Sequence, residues 1–414
     1  MSCSDNEERV AVKEDYNAYL LKTTHESADE ALEEISFWET KLEKAPNQIS
    51  WLGKLATAYT QAFNATGKID YLINAEANLV NANHRTKYEN AGFLRALARN
   101  YISQHRFKEA LDLLKKAKLL AEDLNSTHKM LFDVYLELGR TEEAYNMLES
   151  FKKHADFDYY IRLAKWNDNQ GNLADAIFTL EKASRIAAGK KNRYLKEWSY
   201  TNLADFYGHA GKIDKAYRHY LKALKLNPDN MYALKGIAWI VYSNDNEPEE
   251  ALRILNNIQK KYNSPDLHLF KSEIATSLNK LDLKSKFEKD YFEMIAGGAY
   301  GEMYNSYNVL LLSEKEERLW RAMQLAQKEV SNRPTPESYD LLAWAHFQQG
   351  NINEAQAIIE YKVFNKTSEP RVLYHMATIF KATGQVERAK SIKQELKDSY
   401  FELGPLLKKN IEKL

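Results

Sequence analysis

Ten histidines are the side chains best suited to acid–base or metal chemistry near neutral pH: His25, His84, His105, His128, His154, His209, His219, His268, His346 and His375. None sits in a pattern that would use it. His25-Glu26 runs on into Ser27-Ala28-Asp29, so the paired histidines of a zinc-protease helix are missing, and no carboxylate–histidine spacing of a zinc or iron site occurs. The one glycine cluster, Gly297-Gly298-Ala299-Tyr300-Gly301, lacks the spacing, the preceding strand and the lysine of a phosphate cradle, and reads as a loop between helices. No nucleophile elbow and no calcium loop is present. The single cysteine, Cys3, leaves nothing for an internal disulfide or a thiolate metal site. The chain is read as a non-enzyme with no cofactor.

Composition narrows the remaining classes. Lys+Arg and Asp+Glu both number 58 in 414 residues, and a formally neutral chain is a poor nucleic-acid binder. Apolar residues at 44 % can bury a core, while 8 prolines and 15 glycines are too few for an all-β protein full of turns. The longest apolar run, Ile237 to Tyr242, falls far short of the roughly 20 residues a spanning helix needs.

What must position any binding residues is a repeat. Alanines recur at 75, 110, 144, 176, 216, 251, 322, 355 and 389, spaced 32–40 residues apart except for one gap of 71 that leaves room for a degenerate unit near 266–300. Around residue 203, Tyr200, Leu203, Ala204 and Tyr207 share one helical face, and Ala216, Tyr220 and Ala223 share another. Gly67, Gly139, Gly171, Gly211, Gly350 and Gly384 fall between the two helices of a unit, and Pro46, Pro228, Pro265, Pro334 and Pro370 fall between units. The alanines mark where paired helices approach closely, because a larger side chain would hold the axes apart.

The order Tyr200, Leu203, Ala204, Tyr207, Gly211, Ala216, Tyr220, Ala223, Pro228 resembles the tetratricopeptide repeat, as do Tyr339 to Ala355 and Leu373 to Ala389. The resemblance implies an all-α, right-handed superhelical solenoid of about ten helix-turn-helix repeats over 48–398. Residues 1–13 are expected to be a flexible tether, 14–47 an N-terminal helical pair, and 399–414 a C-terminal capping helix. It also implies a concave groove lined by the first helix of each pair, binding a protein or peptide. On that face stand Arg95, Arg99, Lys129, Lys165, Trp198, Asp205, Tyr232, Trp239, Tyr242, Trp344, Phe347 and Tyr374. Basic residues lead and aromatic residues follow, which predicts a partner with an acidic part and an apolar part. Arg95 and Arg99 stand where the chaperone-tail-binding subfamily has Lys and Asn, so that mode is not predicted. A glycan or small-molecule binder using Trp198, Trp239 and Trp344, and an accessory subunit of an enzyme or transport complex, remain open.

Cys3-Ser4-Asp5-Asn6-Glu7-Glu8 resembles the start of a mature Bacteroidota lipoprotein, a lipid-bearing cysteine followed by an acidic tether. That resemblance implies a lipid anchor at Cys3 and a cell-envelope location, with a cytoplasmic chain as the alternative.

Overall fold

A computed structural model of the chain describes residues 9–153 and 156–414; Cys3 and His154 lie outside the described residues. Among the described residues the chain is helical, without strands. None of these helices is long and apolar enough to cross a membrane. The first two are α1 (Lys13–Leu20) and α2 (Glu26–Lys44). Helix–turn–helix pairs follow in order: α3 (Ile49–Thr66) and α4 (Ile69–Arg85), α5 (Ala91–Ser103) and α6 (Phe107–Leu119), α7 (Leu124–Glu137) and α8 (Thr141–Ser150), α9 (Phe157–Asn169) and α10 (Leu173–Ala188). The series continues with α11 (Arg193–His209) and α12 (Ile213–Leu226), α13 (Met231–Ser243) and α14 (Pro248–Gln259), α15 (Pro265–Ser277) and α16 (Leu281–Ile295). It ends with α17 (Asn305–Ser313) and α18 (Leu319–Asn332), α19 (Pro336–Gln348) and α20 (Ile352–Ile358), α21 (Pro370–Ala382) and α22 (Val386–Leu396), then α23 (Tyr400–Glu412). The tandem helix-pair architecture read from the alanine period is the one found.

Local sequence explains the boundaries. Asn90, Asp156 and Asn230 cap α5, α9 and α13, each side-chain oxygen accepting from the amide three residues on, at 2.9, 2.9 and 2.7 Å. Gly67 closes α3 with φ 71°, and a Cβ there would stand 3.0 Å from the Asn263 carbonyl oxygen, so both the turn and the neighbour require glycine. Where the sequence offers no glycine, His105 (φ 59°), Asn246 (φ 53°) and Asn279 (φ 57°) take the left-handed turn.

The alanine is the fourth residue of α6, α8, α10, α12, α14, α18, α20 and α22, and each of these, from Ala110 to Ala389, is at most 1 % exposed. The degenerate unit is a complete hairpin, α15 and α16, but the fourth residue of α16 is Lys284. Its ammonium lies 3.4 Å from the buried Glu288 carboxylate. Nearby Lys271 is almost wholly buried and donates to the Gln259 side-chain oxygen; burial pushes its ammonium down to about 8.

The helices group into two compact units, each drawn from separate stretches of chain. Of the described residues, unit 1 comprises 9–78, 180–299 and 400–408; unit 2 comprises 79–153, 156–179, 300–399 and 409–414. In unit 1, α2 packs on α3 around Ala31, Ile35, Leu55, Ala58 and Ala62, while α1 lies on α12 and α14. Residues 9–12, expected within a free tether, are held there. The Val10 and Ala11 amides each donate to the Asp245 carboxylate at 3.0 Å, and the Val12 amide donates to the Tyr217 hydroxyl at 3.0 Å. In unit 2, Lys108 donates to the Ser331 carbonyl at 2.7 Å and Arg333 to Glu137 at 3.3 Å, tying 79–179 to 300–399. A strictly one-dimensional array would contain only nearest-neighbour contacts; both units also join hairpins far apart in sequence.

Tyr16 on α1 donates to Glu250 on α14 at 2.8 Å, and Lys13 and Arg253 pair with the same carboxylate. Burial alone would raise the Glu250 pKa, but the bonds from Arg253, Tyr16 and Lys13 prevail and bring it down to about 2. A carboxylate depressed in this way contributes stability that is fully present above its unfolded value near 4.5 and is lost as pH falls toward 2. Glu250→Gln should therefore lower stability by about 2–3 kcal/mol at pH 7. Thermal melts of both chains should converge as pH falls from 4.5 to 2; a gap that persists undiminished to the acid end would show that this carboxylate does not hold α1.

Candidate functional site

Four cations were expected on the groove face. Arg95, on α5, donates to the Glu122 carbonyl at 2.7 Å and to the Thr127 hydroxyl at 3.2 Å, with Asp123 at 3.6 Å. Lys129, on α7, donates to Asp158 on α9 at 2.7 Å. Lys165, on α9, donates to Glu137 on α7 at 3.0 Å. Burial opposes the Lys165 charge, yet the Glu137 and Asp133 carboxylates outweigh it and hold the ammonium above its usual value. Arg99 differs: it is exposed and has no side-chain partner among the described residues.

These contacts belong to a wider pattern. Arg162 on α9 donates to Asp133 on α7 at 2.7 Å, Tyr232 on α13 to Asp205 on α11 at 2.7 Å, and Lys235 on α13 to Asp266 on α15 at 2.5 Å. His375 on α21 pairs with Asp340 on α19 at 2.7 Å. Each bond joins the first helix of one hairpin to the first helix of the next. Most of the polar side chains assigned to the groove thus form a ladder between repeats. Asp205 carries a second donor, the Tyr220 hydroxyl at 2.5 Å, and burial still holds its carboxyl above the usual range.

The aromatic residues divide between the units. In unit 1, Trp239 packs on Phe270 and Tyr242 at ring-centre distances of 5.2 and 5.6 Å. Tyr242, expected to meet a partner, is 1 % exposed and is core. Trp239 is itself covered. Its indole N–H donates to the Phe401 carbonyl at 3.0 Å, as does the Ser243 hydroxyl at 2.7 Å. Residues 400–408 therefore lie along α11 and α13. Two glycines make room for them: a Cβ on Gly208 would stand 2.8 Å from the Phe401 ring, and one on Gly404 3.0 Å from both the Trp239 ring and the Glu273 carboxylate. Gly404 has φ 78° and breaks α23 just before Pro405. The segment assigned as a terminal cap thus also fills part of the unit 1 face on which Trp239 was expected to be open. Trp198 keeps 40 % of its surface and Tyr232 51 %. In unit 2, Trp344 stacks on His375 (4.1 Å, 14°) and Phe347 (5.4 Å), with Tyr374 at 6.3 Å. Among the described residues no cluster of three or more His, Cys, Asp or Glu could hold a metal.

Sequence reasoning missed a cleft of about 920 Å³ in unit 1 between α2, the end of α3 and the first turns of α11 and α13. Its walls come from 27–65 and 193–267, brought together by bonds such as Ser27 to Asn227 at 3.3 Å and the Asn263 amide to the Thr66 carbonyl at 3.0 Å. The available signal was the stripe Glu30, Glu33, Glu34, Phe37 at helical spacing.

Residues 198–230 and 336–360 each match the tetratricopeptide repeat, which supports membership of that family. No curated protein matches the chain by sequence. Among solved structures, a tetratricopeptide repeat protein from Parabacteroides merdae is 19 % identical, covering 59 % of this chain and 93 % of its own, with a TM-score of 0.35. Pseudomonas aeruginosa pilF is 16 % identical over 53 % of this chain and 98 % of its own, with a TM-score of 0.37. Yeast Tom70 is 14 % identical over 93 % of this chain and 97 % of its own, with a TM-score of 0.35. Superposition this loose carries no argument about function.

The fit of residues 400–408 can be tested through Gly208. Gly208→Ala should unseat them, making the C-terminal segment quickly cleavable by protease and shifting tryptophan emission to the red as Trp239 meets water. Unchanged cleavage and emission would show that Gly208 is not where the segment rests.

Proposed function

We propose that this chain is a non-enzymatic scaffold that binds a protein or peptide partner through the exposed faces of its helix hairpins. The observation that carries the reading is the open unit 1 cleft, whose rim leaves Phe37, Tyr194 and Tyr232 at 52, 64 and 51 % exposure. Aromatic residues held in water at the mouth of a cavity are typical anchors of protein interfaces. Outside the cleft, Trp198 in unit 1 and Arg99 in unit 2 are also exposed. The glycan reading relied on three tryptophans, of which Trp239 is covered by residues 400–408 and Trp344 is stacked on His375. The accessory-subunit reading is a special case of the scaffold and depends on which partner is found. A photocrosslinking residue in place of Tyr194, expressed in native cells, should join the chain to a polypeptide, and Phe37→Ala should reduce the yield several-fold. Crosslinks to no polypeptide, with normal expression and folding, would overturn the scaffold reading.

We further propose that Cys3 carries a lipid and holds the protein at the cell envelope. The sole cysteine followed by Ser4, Asp5, Asn6, Glu7 and Glu8 supports this. Labelled palmitate fed to cells making the natural precursor should enter the protein and be lost in Cys3→Ser. A protein that fractionates with the cytosol and takes up no label would establish the cytoplasmic alternative.

A further inference from the structure

We propose that the unit 1 cleft is a docking site for a basic segment of a partner polypeptide, one that presents Lys or Arg together with an aromatic or aliphatic side chain. The inference rests on the scaffold reading and adds the chemistry of the partner.

Five carboxylates line the cleft against two cations. Glu30, Glu33 and Glu34 stand exposed on one face of α2, and none has a side-chain partner among the described residues. Across the cleft, Glu197 uses one carboxylate oxygen to accept from the Asn227 and Asn230 amides, at 2.9 and 2.7 Å. Its other oxygen has no donor. The fifth carboxylate, Asp229, is already offset by Lys22 and Lys261, each at 3.8 Å. Of the two cations, Lys235 is committed to Asp266, which leaves Arg193 at the rim. The chain as a whole is neutral, so this surplus of negative charge is local.

The chemistry selects among ligands. An anionic lipid surface or a nucleic acid would be repelled. A divalent cation finds no cluster of ligands among the described residues. A free polyamine would satisfy the charge but leave Phe37, Tyr194 and Tyr232 unused. A peptide satisfies both, with its ammonium or guanidinium groups over α2 and its apolar side chains against the aromatic rim. The acidic part anticipated to meet Arg95, Arg99 and Lys129 does not apply to this cleft, since those cations belong to unit 2, where Arg95 and Lys129 are paired.

The test uses the full chain and fluorescein-labelled peptides of roughly twelve residues, long enough to occupy such a cleft in extended form. One alternates Lys and Arg with Leu and Phe, a second replaces every cation by Glu, and a third replaces every apolar residue by Ser. Fluorescence anisotropy should show the first binding at least about tenfold more tightly than the others. The triple variant Glu30→Gln, Glu33→Gln, Glu34→Gln should weaken it about tenfold and flatten its salt dependence. Tyr194→Ala should weaken it with the salt slope unchanged. All three glutamates are exposed, so a melting temperature equal to wild type certifies the fold. Equal binding of the acidic peptide, full binding by the triple variant, or spermine competing as well as the peptide would each overturn the proposal. If the Tyr194 crosslink still captures a polypeptide that the triple variant binds normally, the basic-segment inference fails alone; if no polypeptide is captured, the scaffold reading fails with it.

Discussion

Close approach of two helices at an alanine is the constraint on which this structure depends. Eight second helices bring the alanine at their fourth position to full burial, and a methyl group is the largest side chain that such a contact accepts without splaying the axes. The spacing of hairpins follows, because the alanine must return once per unit. Hairpin α15–α16 shows that the constraint can be met differently. Lys284 occupies the alanine's place with its charge turned to Glu288, and the helices of the hairpin still pack together.

A second regularity rides on the first. Once hairpins stack in register, the first helix of each stands beside the first helix of the next, and polar residues one repeat apart come within hydrogen-bonding distance. Lys129 and Asp158, Arg162 and Asp133, Lys235 and Asp266 are rungs of that kind. Each half-exposed pair is worth only about 0–1 kcal/mol. Their value lies in fixing register, since a slipped stack would leave several partly buried charges without partners. They also neutralise the charges they join, whereas Arg99 and the α2 residues Glu30, Glu33 and Glu34 stay uncommitted.

The helices, their pairing and the turns were legible in the sequence because each is encoded within one repeat: alanine spacing, apolar faces at helical spacing, glycine at the turn and proline between units. Arg95, Lys129 and Lys165 lie on the first helices of their hairpins, α5, α7 and α9. Their partners were not read, although a carboxylate 29 residues beyond Lys129 was a signal within reach. Other features have no local signature. Asp245 holding residues 10 and 11, Phe401 covering Trp239, and the cleft built from 27–65 and 193–267 join segments whose proximity depends on how successive hairpins accumulate rotation. Phe401 and Gly404 therefore read as parts of a terminal cap, and Tyr242 as a groove residue, until the long-range packing is seen.

Residues 400–408 bear on the order in which unit 1 can be completed during synthesis. They emerge from the ribosome after every other segment of that unit, about 160 residues behind the tryptophan they cover. At roughly 5–20 residues per second, Trp239 and the neighbouring face of α11 and α13 stay bare for on the order of ten seconds or more. Helical repeats fold quickly from local contacts, but these late, distant ones are closed only after a long loop has been paid out. A nascent chain of this protein thus passes through a stage in which its hairpins are formed and an apolar stripe is still open to water, a natural target for a chaperone and a point of entry for aggregation.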